Sequence, residues 1–192
     1  MLEFLQEIDQ AILLAVNSWN SPFWDNVMWW ISGKYSWWPF YLALLVYIFW
    51  QKNWKEALFI LLSVILLITL SDQTSVHLFK EVFERPRPSY HPVLTDQLHY
   101  VNNYKGGKYG FISSHASNTF SVAFFLVLVF RRRWLTFILI FWAALVSYSR
   151  MYLGVHYFFD VFVGALWGML LGFIIYKLFL LTKEKLLQKH QG

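Results

Sequence analysis

The chain has 192 residues, 58% of them hydrophobic and only 14% charged, which excludes an ordinary water-soluble domain, where about half are apolar and about a quarter charged. Sixteen Lys and Arg against eleven Asp and Glu give +5, but long apolar segments separate the basic residues and no nucleic-acid motif accompanies them, so an anionic membrane or substrate is the expected partner. Having no Cys, the chain has no disulfide, thiolate metal site or thiol catalysis.

Read in chain order, Leu2, Leu5, Ile8, Ile12, Ala15 and Val16 recur at helical spacing, with Glu3, Gln6, Glu7 and Gln10 on the other face. That pattern predicts an amphipathic helix lying on the membrane. Its acidic residues, Asp9 among them, have the wrong charge for the start of a signal peptide. Residues 17–22 break the helix, and 23–31 fall short of the ~20 residues a spanning helix needs. Residues 1–33 are therefore expected to be interfacial or re-entrant. Spans are predicted over 37–50, 57–79, 115–130, 134–148 and 157–181, within a transmembrane core of 37–181. The fold class is all-α: one integral membrane domain over 1–192, with about five to six transmembrane helices. Many Trp sit at the ends of the apolar runs, including Trp37, Trp50, Trp54 and Trp134, where amphipathic rings settle at headgroup level.

Short turns join most spans, and the polar stretch 81–112 is the exception. Lys52, Lys55, Arg131, Arg132, Arg133, Lys177, Lys183, Lys185 and Lys189 fall on one side of the membrane, which basic residues mark as cytoplasmic. The tail 182–192 belongs there. Lys34, Lys80, Arg85, Arg87, Lys105, Lys108 and Arg150 fall on the other side, where the loop 81–112 becomes periplasmic.

Ionisable side chains at the ends of spans are costly unless paired or functional. Three clusters stand out: Lys80 with Arg87 and Pro88; Ser113, Ser114 and His115; and Ser149 and Arg150 with His156 and Asp160. Alternate crossings bring all three to one face. Two His, one Asp and several Lys and Arg suit an anion better than a metal, since Arg offers a planar fork and Lys a point charge to phosphate oxygens.

These clusters resemble the three signature motifs of the type 2 phosphatidic acid phosphatase family, over about 57–181. The first and third match residue for residue. The second departs: Ile112, Ser113, Ser114 and His115 stand where the family has Pro, Ser, Gly, His, so Ser114 lacks a glycine's freedom at positive φ. The resemblance implies a helical bundle that transfers a phosphoryl group in line, with no metal and no cofactor. In that reading His156 is the nucleophile, Asp160 holds its second ring nitrogen, and His115 is the acid and then the base. Lys80, Arg87, Arg150, the Ser113 hydroxyl and the Ser114 amide bind the phosphate.

Substrates of similar proteins are membrane lipids: lipid A, undecaprenyl diphosphate, phosphatidylglycerophosphate and phosphatidic acid. The Ser-Ser-His variant resembles short members from Bacteroidetes-type bacteria, among which lipid A phosphatases occur. Lipid A and undecaprenyl diphosphate lead, and the inner membrane with a periplasmic active site is the expected setting. A lipid transporter lined by the polar run Ser71–Ser75 and a vanadate haloperoxidase are the alternatives. Arg85 is left to headgroup attraction, the run from Ser71 to joining helices or orienting the site, His77 to supporting Lys80, and the loop 89–110 to covering the site and choosing the headgroup.

Overall fold

The computed structural model describes the backbone of residues 2–188 and the side chains of 3–184. Helices α1 (Leu2–Asn17), α2 (Pro22–Ser32), α3 (Trp38–Gln51) and α4 (Trp54–Thr74) come first. A π-helical turn (Ser75–Lys80) carries α4 into α5 (Glu81–Phe83), and α6 (Ser114–Phe130), α7 (Arg133–Tyr152) and α8 (Phe158–Gln188) complete the bundle. The fold is all-α; among the described residues the one β-type pairing is an isolated bridge, Pro86 to Tyr109. Three stretches are long and apolar enough to cross a membrane: Trp54–Phe83, Arg133–Tyr152 and Phe158–Glu184. Helices α3 and α6 are apolar but shorter.

The second span outruns the predicted 57–79 at both ends: Asn53 Oδ1 caps its start, accepting from Glu56 N at 3.0 Å, and the polar run near its other end finds partners. Thr74 Oγ1 donates to Leu70 O at 2.7 Å, Ser75 Oγ to Asp72 O at 2.8 Å, and Ser71 Oγ meets Ser117 Oγ at 2.6 Å. The helix stops only at Glu84, in the left-handed region at φ 44°. Helix α7 likewise runs past 148 to Tyr152, where Gly154 at φ 69° turns the chain.

Helices α6 and α8 make the most extensive contact in the fold, through small residues at every fourth position. Ser113, Ser117 and Ser121 are fully buried and face Gly164, Gly168 and Gly172. A Cβ at Gly164 would lie 2.8 Å from Ser113 O, one at Gly172 2.7 Å from Ser121 O, and one at Gly168 on Ser117 O itself. Bare backbone lets the two axes approach this closely, as in small-xxx-small seams of membrane helices.

Helix α1 buries a mixed polar and apolar stripe against the bundle, with Ile8, Ile12 and Val16 half-buried beside it. Phe4 and Leu5 are exposed, whereas Asp9, Leu13 and Asn17, spaced by four, are buried. Asn17 Nδ2 donates to Tyr152 O at 2.7 Å and to His99 O at 3.0 Å, and its Oδ1 accepts from His99 N at 2.8 Å. At the opposite end of the bundle Glu56 Oε1 pairs with both Lys52 and Lys183 at 2.9 Å, and Arg131 Nη2 donates to Tyr176 OH at 2.8 Å. The expected basic end is thus assembled from α3, α4, α6 and α8. Of the predicted tail, residues 189–192 and the Lys185 side chain lie outside the described residues.

Candidate active site

The third motif is built on the turn between α7 and α8. Burying His156 and Asp160 there, at 1% and 0% exposure, requires partners for both. His156 Nε2 lies 2.7 Å from Arg87 Nη1 and Nδ1 lies 3.4 Å from Asp160 Oδ2. A guanidinium only donates, so Nε2 is the accepting nitrogen and Nδ1 carries the proton toward Asp160. Burial, then the charge of Arg87, holds the His156 pKa well below the ordinary histidine range, so the ring is neutral and its Nε2 lone pair is available.

Arg87 is pinned by a second bond, Nη1 to Val155 O at 2.9 Å, and by glycines that let the loop lie against it. A Cβ at Gly106, itself at φ 69°, would come within 3.3 Å of the guanidinium, and one at Gly110 within 3.0 Å of Arg87 Cγ. Burial, then the neighbouring Arg150, pushes the Arg87 pKa down to about 10. Arg150 donates to Ser32 Oγ through Nη1 and to Tyr104 OH at 3.3 Å through Nη2. Arg87 Nε and Arg150 Nε are both buried without an acceptor, an imbalance that a phosphate would correct.

The second motif opens α6. Ser113 caps the helix, its Oγ accepting from Ala116 N at 3.5 Å, and its amide donates to Asp160 O at 2.9 Å. Its hydroxyl is fully buried and is turned to capping, not toward the cavity as the sequence led us to expect. Ser114 lies in the first helical turn and not among the positive-φ residues, so a glycine's freedom is unused there. Its hydroxyl accepts from Lys80 Nζ at 2.5 Å and meets Ser75 Oγ at 2.7 Å. Ser75 gives its own proton to Asp72 O, so Ser114 donates to Ser75. The serine that departs from the family pattern thereby fixes the lysine.

Lys80, Arg87, Ser114, His115, Arg150 and His156 all line one cavity of about 1320 Å³. From these polar residues it runs between α3, α4 and α6 past Leu45, Ile48, Leu61, Val64 and Leu126. A second cavity of about 510 Å³, rimmed by Asn26, Trp29, Trp30, Lys34 and Ser36, shares Arg150, His115 and Tyr104 with it. The structure therefore brings together the sequence-expected residues from all three motifs, with Asp160 behind His156 and Ser113 behind α6.

The expectations for Arg85 and His77 change. Arg85 is not a free headgroup ligand: Nη1 donates to Asp160 Oδ1 at 2.8 Å. His77 does not support Lys80 but lies on an exposed face between Gln73 and Glu81, at 3.2 and 2.8 Å. Of the loop aromatics, Tyr104 reaches Arg150, while His99 Nε2 is tied to Asp25 at 2.8 Å. Ser32, on a helix that sequence left peripheral, touches Arg150. The signal for such contacts is a polar residue on a buried helix face, visible only once the burying surface is known.

A family model described as PAP2 superfamily matches residues 56–183. The chain belongs to the PAP2 superfamily. Among PAP2 relatives, the lipid A 4'-phosphatase of Bacteroides thetaiotaomicron is 40% identical over 92% of this chain and 79% of its own length. That of Porphyromonas gingivalis is 38% identical over 96% of this chain and 78% of its own. A solved PAP2-type phosphatidylglycerolphosphate phosphatase from Bacillus subtilis superposes with a TM-score of 0.64 at 29% identity, covering 91% of this chain and 85% of that one. This PAP2 chain is accordingly an integral membrane phosphatase that hydrolyses phosphoric esters of lipids, which removes the transporter reading.

Proposed function

We propose that this phosphatase removes a phosphate from the sugar headgroup of lipid A through a phosphohistidine on His156, at the periplasmic face of a bacterial inner membrane. The observation that carries the reading is the His156 Nε2 lone pair, held by Arg87 in a cavity that Arg150 and Lys80 also line and that meets a second, unlike cavity at Arg150 and His115. The apolar cavity suits acyl chains. The smaller one, within the ~300–1,000 Å³ of small-molecule sites, has an aromatic and polar rim suited to a sugar. The 4'-phosphatase relatives support the same substrate.

In the first step Nε2 attacks phosphorus, the P–O bond to the sugar breaks, and the alkoxide takes a proton from His115. Arg87 exchanges Nε2 for a phosphoryl oxygen as the phosphate arrives. Arg150, Lys80 and the free amides opening α6 share the equatorial charge, and Asp160 stabilises the imidazolium through Nδ1–H. In the second step His115 takes a proton from water, the hydroxide attacks phosphorus, and the P–N bond breaks to return the pair to Nε2.

Purified protein in detergent, with a chelator present, should release phosphate from lipid A in preference to undecaprenyl diphosphate or phosphatidylglycerophosphate. Rapid quenching should trap an acid-labile phosphoprotein that His156→Ala abolishes. His115→Ala should slow turnover by roughly 10²–10⁴-fold, the usual worth of general acid–base catalysis. Full turnover in His156→Ala would overturn the mechanism, and selective cleavage of diphosphates would overturn the substrate.

A further inference from the structure

Asp9 is buried in α1, on the stripe it shares with Leu13 and Asn17, at 0% exposure. A carboxylate in that position must be compensated. Its Oδ2 accepts from Arg85 Nη2 at 2.6 Å, and its Oδ1 accepts from Phe159 N at 2.9 Å. Phe159 belongs to the opening turn of α8, whose free amides favour an anion. Asp9 thus caps, from 150 residues away in sequence, the turn that carries Asp160.

Arg85 extends its other nitrogen, Nη1, to Asp160 Oδ1 at 2.8 Å, and its guanidinium lies 4.2 Å from the centroid of the Tyr157 ring. Burial opposes its charge, but Asp160 and then Asp9 outweigh burial and hold its pKa above the ordinary arginine range. The remaining oxygen, Asp160 Oδ2, accepts from Tyr157 N at 3.1 Å and faces His156 Nδ1 at 3.4 Å. Each link therefore leaves the next carboxylate one free direction, and the last of these points at the imidazole. The Asp160–His156 contact is the longest in the series, so it depends most on how firmly Asp160 is aimed.

We propose that Asp9 and Arg85 are positioning residues: they clamp Asp160 and, through it, fix the tautomer and orientation of His156. This rests on the reading of His156 as nucleophile. No substrate contact is assigned to either residue, so their loss should fall on chemistry and not on lipid binding. Arginine is required because one planar fork spans two carboxylates, which a lysine point charge does not do.

The test compares Asp9→Asn and Arg85→Lys with Asn17→Ala, which loosens the other anchor of α1. Thermal unfolding, kcat and KM for lipid A, and the rapid-quench rate of phosphoprotein formation are measured per folded molecule. For Asp9→Asn and Arg85→Lys, kcat and phosphoprotein formation should fall by roughly 10–100-fold, typical of groups that orient a reacting residue, with KM nearly unchanged. Asn17→Ala should lower thermal stability and leave kcat within about twofold, since its side chain bonds the backbone of His99 and Tyr152 and none of Asp9, Arg85, Asp160 or His156. Adding Asp9→Asn to Asp160→Asn should cost nothing further, because both cut one path. Unchanged kcat in Asp9→Asn, an equal loss in Asn17→Ala, or multiplying losses in the double variant would overturn the proposal. Turnover surviving in His156→Ala would instead mark failure of the nucleophile assignment, and the positioning role would fall with it.

Discussion

Along its middle, α8 meets α6 through glycines pressed on serine backbone, whereas its first turn meets α1 through a buried carboxylate and an arginine. Both contacts locate Asp160, by unlike means. The seam sets the separation of the helices carrying His115 and Asp160 by steric contact alone and carries no titrating group. The α1 contact sets direction through hydrogen bonds and charge, with Leu13 packed beside them. Membrane interiors favour the first device, since close packing does not depend on expelling water. The second is available where the bundle meets the headgroup region.

The seam should be the more fragile of the two contacts. In Gly168→Val the new side chain would occupy the position of the Ser117 carbonyl, so α6 and α8 must separate. Little monodisperse protein should be recovered in detergent, and what is recovered should be inactive. A stable, active variant would show that the seam does not set the spacing.

Acid should separate the two regions with an intermediate effect. Burial lowers the His156 pKa below the value of 6.5 that the group has when unfolded. Below that pH the unfolded chain takes up a proton that the folded one refuses, so stability is fully present above it and declines as pH falls. The midpoint of thermal unfolding should drop as pH is lowered from about 6.5 toward 5, and His156→Gln should flatten that dependence. An identical slope in the two proteins would remove His156 as the cause. The smallest effect belongs to Ser71→Ala, which leaves the Ser117 hydroxyl without its 2.6 Å partner. It should cost about 1–3 kcal/mol of stability, read from unfolding, while kcat stays unchanged.

Much of this arrangement was legible in the sequence because its signals are local. Span positions follow from runs of apolar residues, and the three clusters fall at span ends where charge demands a reason. Spacing identifies His156 and Asp160 as a same-face pair, and alternation of crossings puts Lys80, His115 and Arg150 on one face. What stayed illegible depends on pairing across long separations. Asp9 lies on the buried stripe of α1, but periodicity lays the apolar residues of that helix on the membrane and says nothing of an arginine 76 residues away. Arg85 and Arg87 look alike as two Arg-Pro pairs, yet one faces two carboxylates and the other a histidine. Ser114 reads as a lost glycine until Lys80 and Ser75 are found on its hydroxyl.

The π-helical turn over Ser75–Lys80 has a consequence for how this molecule can change by insertion and deletion. Such a turn accommodates one residue beyond the regular count, and removing any single residue there would let the helix heal into a straight α form. Everything C-terminal to the excision would then keep its phase, whereas the same excision from the regular part of α4 would swing it by about 100° about the axis. Only that second change would carry the ammonium of Lys80 away from Ser114 although every catalytic side chain had been retained. The wide turn is thus the one place in this helix where the length of the chain can change with little shift of direction.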